Sequence, residues 1–357
     1  MRNIKLNKIL KNYFLLNFLL ESGKLSPISS IKIILLGVIL PALVVFGSYL
    51  DNTFWLSGNG KGLWQHYGVW SLFLTTPILL IIALNILNRF FLIIKNINNY
   101  ITCLEMPLGL TRIINKQMKS ISLKTKTKYI LIFFGIIGFM SSIVNIYQTV
   151  EPIKYYGNDV FDSYKYFWGF LANKIFLTFI WTLIYPIVGF IVLHVSYSMV
   201  IILRYLYQNG ILFVDFFHKD NCGGVSNFGY INNLIMGIYI NIFFVVFCLF
   251  ITHSNNYFTL MLSSVLLAGI MIIHNFLIVY YIQKFVKSEK EKLLKKINER
   301  LNEGINNLKA FHHGLLLLRN HIINVRPHPY TKIASVVKNL FRFFPPAVAL
   351  LKLLFSP

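Results

Sequence analysis

The run VWSLFLTTPILLIIALNILNRFFLII, residues 69–94, carries a single charge, Arg89, close to its end. About 20 apolar residues suffice for a helix to cross the hydrocarbon of a bilayer, and a helix apolar on every side needs protein or lipid all around it. Five further runs of this kind occupy 32–50, 129–149, 175–205, 232–251 and 257–282. With 56% hydrophobic residues, 13% charged residues and a mean hydropathy of +0.63, the chain lies far from the soluble average. The expected fold class is all-α: a polytopic membrane helix bundle with about six transmembrane helices and a cytoplasmic helical extension.

Charge distribution orients the bundle. If the N-terminus is cytoplasmic, the outer segments hold Lys61, Lys154, Lys165 and Lys174 against Asp51, Glu151, Asp159 and Asp162. That leaves 30 of the 34 basic and 8 of the 12 acidic residues inside or at the boundary, so the inner side carries the whole net charge of +22. Lys and Arg in short loops set membrane orientation, and this imbalance places both termini in the cytoplasm. The expected domains are an amphipathic inner-leaflet helix at 1–30, a six-span domain at 31–283, and a cytoplasmic stalk with a C-terminal surface hook at 284–357.

Residues 3–20 set Lys5, Lys8 and Lys11 beside Ile4, Ile9, Leu16 and Leu20, the composition of a helix lying on a leaflet; a solvated helix packed on the protein is the alternative. No small-residue cleavage site follows, which argues against a signal peptide. Cys103, Cys222 and Cys248 fall in inner loops and one span, so no disulfide is expected. Trp55, Trp64 and Tyr67 flank Gly58, Gly60 and Gly62 in the first outer loop, as in an aromatic belt at headgroup level. Abundant Lys, Asn and Ile point to an AT-rich bacterial source and the inner (plasma) membrane.

The inner loop 95–128 holds Arg112, Lys116, Lys119, Lys124 and Lys126 with one acidic residue, Glu105. Anionic inner-leaflet lipids are its default partner, since each basic residue near such a surface contributes about 1 kcal/mol of attraction. Beyond the sixth span an apolar stripe continues from Leu294 through Ile297, Leu301, Ile305, Leu308, Phe311, Leu315 and Leu318 to Ile322. Lys295, Lys296 and Arg300 flank it together with Glu299 and Glu303, as on a water-exposed helix with one buried seam. Gly304, Gly314 and the pair His312-His313 argue against one unbroken rod. Pro327 and Pro329 end the pattern, and the apolar run 347–355 is too short to span.

The most distinctive local sequence is His218-Lys219-Asp220-Asn221-Cys222-Gly223-Gly224, between spans four and five. On an extended segment alternate residues face one way, so His218, Asp220 and Cys222 are geometrically able to share a metal, although no second Cys or His spacing completes a site. The glycine turn offers backbone amides to an anion, and a structural turn before span five is the third reading. The H-x-D-x-x-G-G run, followed by a long helix and a Pro-containing amphipathic C-terminus, resembles a set of uncharacterised bacterial multi-pass membrane proteins over about the C-terminal 40% of the chain. The overall plan resembles the membrane effectors of bacterial anti-phage defence systems of the Hailong type. That resemblance implies an oligomeric ion channel controlled by a soluble, nucleotide-polymerising partner, and it assigns no residue a role.

No Asp or Glu lies within a predicted span, whereas ion-coupled transporters commonly place carboxylates there. Walker, dinucleotide, H-E-x-x-H and G-x-S-x-G motifs are absent from the sequence, so neither an enzyme nor a cofactor is expected. Asn85, Asn145, His194, Asn241 and His274 are the candidate pore-lining residues; interhelical hydrogen bonding explains each one equally well. Two functions compete: a homo-oligomeric pore, a tetramer as working assumption, gated from the cytoplasmic side, and a non-conducting anchor or sensor that recruits an acidic partner or nucleic acid through its basic inner face.

Overall fold

The computed structural model describes residues 27–50, 52, 54–55, 63–102, 106–121, 127–155, 168–218, 220, 222–252, 257–303 and 309–325. The expectations for residues 1–26, Lys124, Lys126 and the C-terminal hook lie outside these residues. Nine α-helices form the described part: α1 (Pro27–Leu50), α2 (Tyr67–Lys95), α3 (Leu108–Ile121), α4 (Thr127–Tyr155), α5 (Trp168–Phe179), α6 (Tyr185–Gln208), α7 (Ser226–Thr252), α8 (Tyr257–Glu303) and α9 (Lys309–Asn324). A π-helical turn, Ile180–Ile184, joins α5 to α6 without a break.

Each of the six apolar runs is helical. Among the described residues three stretches are long and apolar enough to cross a membrane: Tyr67–Lys95, Asn173–Gln208 and Ser226–Cys248. Half or slightly more of the apolar window in each is buried within the chain, so nearly half faces outward. On α4 the outward side presents Phe133 at 59% exposure, Ile136 at 56% and Met140 at 54%. A water-soluble monomer rarely leaves an apolar surface of that extent open, whereas lipid solvates it without cost.

The core forms where α2 and α7 run antiparallel, with α6 packed on α2. Val69, Leu79, Leu80, Ile86, Ile235 and Ile238 are all buried there. The register is visible where Arg89 lies 4.8 Å above the Tyr230 ring and where a Cβ on Gly237 would sit 3.6 Å from Ile82. Hydroxyls inside this packing satisfy themselves locally: Ser71, Thr75 and Thr76 donate to the Gly68, Ser71 and Leu72 carbonyls at 2.7–2.8 Å. Back-bonding of this kind removes the penalty of an unmade hydrogen bond.

The two ends of the bundle differ in chemistry. At one, Trp55, Trp64, Trp70, Phe73 and Phe176 form a chain of ring contacts with centroids 4.9–5.9 Å apart, and the His66 Nδ1 caps α2 by accepting the Val69 N–H at 3.2 Å. Lys174, which sequence places among the outer charges, is instead buried in α5 at 9% exposure. A lysine nearly two turns inside a helix can bury its long apolar stem, which a count of charges by loop does not register.

The opposite, basic end holds Lys95 and α3. Within the segment 95–128 that connects two apolar runs, 108–121 is a helix that buries Leu110, Ile114, Gln117, Met118 and Ile121. Those residues recur at three- and four-residue spacing, the period of a one-sided helix. α3 packs on α6, where the Ser198 hydroxyl lies 3.0 Å from Gln117 Oε1 and donates to the His194 carbonyl at 2.7 Å.

The apolar seam from Leu294 to Ile322 belongs to two helices rather than one. α8 runs for 47 residues, about 70 Å at 1.5 Å per residue, and α9 packs back on it. Ile297 and Leu301 of α8 meet Ile322 and Val325 in a cluster separate from the main core. Lys290 fixes the end of α9, its ammonium donating to the Ile323 and Val325 carbonyls at 2.5 and 2.9 Å. Cations are favoured at this helix end, where the last carbonyls lack intrahelical partners.

Candidate functional site

The basic end gathers four chain segments around residues 209–225. α6 ends at Asn209-Gly210, where Gly210 adopts the left-handed φ of +61° that glycine supplies at a helix end and its N–H donates to the Tyr207 carbonyl at 3.1 Å. The chain then pairs briefly with the segment after α2. Thr102 N–H donates to the Ile211 carbonyl and Phe213 N–H to the Tyr100 carbonyl, both at 2.9 Å. Tyr100 holds the start of α7 as well, its hydroxyl accepting from Asn227 Nδ2 at 2.8 Å and its ring meeting Phe228 edge-on at 5.2 Å.

Asp220 organises the loop. Its Oδ1 accepts the Cys222 and Gly224 N–H groups at 2.8 and 3.1 Å, and its Oδ2 accepts the Ser226 N–H at 3.2 Å, at the first residue of α7. Gly223 and Gly224 sit at φ +75° and +82°, which only glycine adopts readily, and a Cβ on Gly223 would lie 2.4 Å from Val214 Cγ1. His218 Nδ1 lies 3.1 Å from Asp220 Oδ1 and 3.3 Å from the Asp220 N–H; the ring tautomer decides which contact is a hydrogen bond. Burial alone would raise the Asp220 carboxyl, but the backbone donors of Cys222, Gly224 and Ser226 outweigh it and hold the group below the ordinary carboxylate range.

This geometry bears on the three sequence readings of His218–Gly224. His218 and Asp220 approach each other, but the Asp220 carboxylate is already held by the backbone amides of Cys222, Gly224 and Ser226. Asp220 turns inward to backbone amides, and Cys222 is fully buried and in no disulfide. Among the described residues no three His, Cys, Asp or Glu side chains gather as metal ligands. The anion held by the glycine-turn amides is the chain's own Asp220 carboxylate.

α9 docks on the same loop. His321 Nε2 lies 2.9 Å from the Phe216 carbonyl, and its ring stacks on Phe217 with centroids 5.0 Å apart and planes 6° from parallel. Phe216 itself joins the cluster of Ile297, Leu301 and Ile322. The α8–α9 hairpin therefore grips the peptide leading into α7. Sequence singles out neither His321 nor Tyr100 for this role, because nothing local to either residue signals a partner more than a hundred positions away.

The basic candidates separate into two exposed sets. Lys116 and Lys119 project from α3, with Arg112 exposed on the same helix. Lys295, Lys296 and Arg300 are exposed on α8, where Lys295 reaches Glu299 at 4.0 Å. Three of the candidate pore-lining side chains, Asn85, His194 and Asn241, lie among the described residues, on three different helices. Asn85 and Asn241 lie on α2 and α7, and the Asn241 amide donates to the Gly237 carbonyl of its own helix at 2.7 Å. His194 stacks on Phe190 at 5.4 Å, with its Nε2 buried and without a hydrogen-bond partner. The side chains of Asn145 and His274 lie outside the described residues.

Fold and site define an all-helical protein whose long apolar helices suit a membrane and whose polar end is tied together by a helical hairpin. Comparison with protein-family models, curated proteins and solved structures finds no match.

Proposed function

We propose that this protein is the subunit of a homo-oligomeric, ion-conducting membrane pore whose opening is controlled through the α8–α9 hairpin. In this reading the chain crosses the bacterial inner membrane six times with both termini in the cytoplasm, four copies surround the path, and the effector acts in anti-phage defence under a soluble regulatory partner. The observation that carries it is the docking of His321 on Phe216 and Phe217. That contact gives a water-exposed hairpin a direct hold on the loop that positions α7, as a gate driven from one side requires.

Further support comes from the spans themselves, which contain no carboxylate to couple transport to an ion. A conducting path needs only modestly polar walls contributed by several subunits. The test is ion flux from liposomes containing the purified protein, with single-channel recording under activating conditions. A protein that stays monomeric and impermeable in both assays refutes the pore.

One observation favours the second reading, a non-conducting anchor. Arg112, Lys116 and Lys119 form an exposed basic face on α3. Binding of an acidic partner or nucleic acid there weakens steeply with salt and falls when Lys116 and Lys119 are neutralised. Unchanged oligonucleotide affinity in that double variant removes α3 as the site.

A further inference from the structure

The π-helical turn Ile180–Ile184 opens a groove of about 440 Å³ between itself and α4. Leu131, Ile136 and Phe139 form one wall, and Leu183 and Pro186 the other, with Thr182 between them. Gly135 keeps the groove open: a Cβ there would stand 3.5 Å from the Thr182 carbonyl, so any longer side chain enters the space.

Thr182 is the anomaly. Ser71, Thr75, Thr76, Ser142, Ser196 and Ser198 each donate a hydroxyl to a carbonyl of their own helix. The Thr182 hydroxyl is buried with no partner. The cause is local. In the π turn the Tyr185 N–H bonds the Ile180 carbonyl, five residues back, so the carbonyls near Thr182 leave their α-helical positions. Pro186, four residues after Thr182, has no N–H to offer the Thr182 carbonyl. An unmade hydrogen bond in apolar surroundings is costly, and π turns recur at functional sites.

The geometry points to a binding site for a free medium-chain amphiphile, an aliphatic body with one hydroxyl or carbonyl oxygen. The chain fills the apolar groove, and rotation of Thr182 about χ1 brings its hydroxyl to the ligand oxygen. The volume falls within the range of small-molecule sites, roughly 300–1,000 Å³, and one polar handle in an apolar wall is their usual chemistry. This site lies apart from the hairpin junction and does not depend on ion conduction.

The test is photolabelling of the full chain in liposomes with decanol carrying a diazirine, followed by peptide mapping. Saturable labelling centred on residues 131–139 and 182–187, displaced by unlabelled decanol, is expected. Thr182→Val keeps the shape and removes the handle, so affinity should fall about fivefold, the worth of one net hydrogen bond. Thr182→Ser should restore it. Gly135→Ala, which adds only an ordinary contact, should keep labelling, and Gly135→Phe should abolish it. Non-saturable labelling spread over outward-facing Phe133, Ile137 and Met140 overturns the site, leaving bulk lipid in the groove. Saturation by a phospholipid with the diazirine in its acyl chain, but not by the alkanol, also overturns it, because the occupant is then a resident lipid.

Discussion

Replacing Asp220 tests the organisation of the polar end directly. The carboxylate accepts three backbone N–H groups. Cys222 is fully buried, whereas Gly224 and Ser226 are partly exposed, so water can replace the carboxylate only at the latter two. Leaving a buried donor unsatisfied costs about 1–3 kcal/mol, and a hydrogen bond to a charged group contributes about 1.5–3 kcal/mol. Asp220→Ala should therefore destabilise the fold by about 3 kcal/mol. Asp220→Asn keeps one acceptor for Cys222 and Gly224 but turns an amide donor toward the Ser226 N–H, for a loss of about 1.5 kcal/mol. Denaturant titration in detergent measures both, and hydrogen exchange at the Cys222, Gly224 and Ser226 amides localises the effect. Because the folded-state carboxyl lies below its unfolded value, this stability is fully present above about pH 5 and is lost as pH falls through the folded value. Wild-type stability and protected amides in Asp220→Ala would refute the reasoning, and the His-Asp-Gly-Gly run would then need a role other than holding the turn.

Three further predictions rest on the same end of the molecule. Gly223→Ala forces a left-handed φ and drives a methyl into Val214; it should cost about 2 kcal/mol by the same titration, and adding Val214→Ala should recover only the steric part. Lys290→Met removes the donor to the last carbonyls of α9, so limited proteolysis should release α9 sooner, for about 1 kcal/mol of local stability; an unchanged cleavage pattern means the cap contributes nothing. His321→Phe keeps the ring over Phe217 and loses the bond to the Phe216 carbonyl. Exchange in 211–218 should rise several-fold with thermal stability little changed, and the gating mechanism fails if flux in this variant responds to activation as in wild type.

The helical class and the six apolar segments were legible because transfer of apolar side chains depends on composition and length alone. The stop at Asn209-Gly210 was legible because a left-handed glycine is a local signal. α3 is signalled within the basic inner segment by Leu110, Ile114 and Ile121 at three- and four-residue spacing, but composition there is dominated by the lysines and arginine that orient the spans. Gly304 and Gly314 argue for a break in the stripe, but the direction in which α9 packs and the His321 contact were not legible, since an apolar stripe does not say which surface it meets. The π turn also escaped sequence: Pro186 announces a disturbed helix but not the extra residue taken up before it. At His218–Gly224 the residue types were compatible with metal, anion or turn, and only the direction of the Asp220 carboxylate distinguished them.

That carboxylate has a consequence for signalling at the polar end. A tethered anion acts at an effective concentration of millimolar or above, set by the few residues that link it to its amides. A diffusing phosphate or acidic peptide must outcompete it before it can reach the same donors, and success would unseat the first turn of α7. Exposed positive charge lies elsewhere, on α3 and along α8. Soluble anions are thus directed to side chains on helices, while the loop at the heart of the junction remains chemically closed to them.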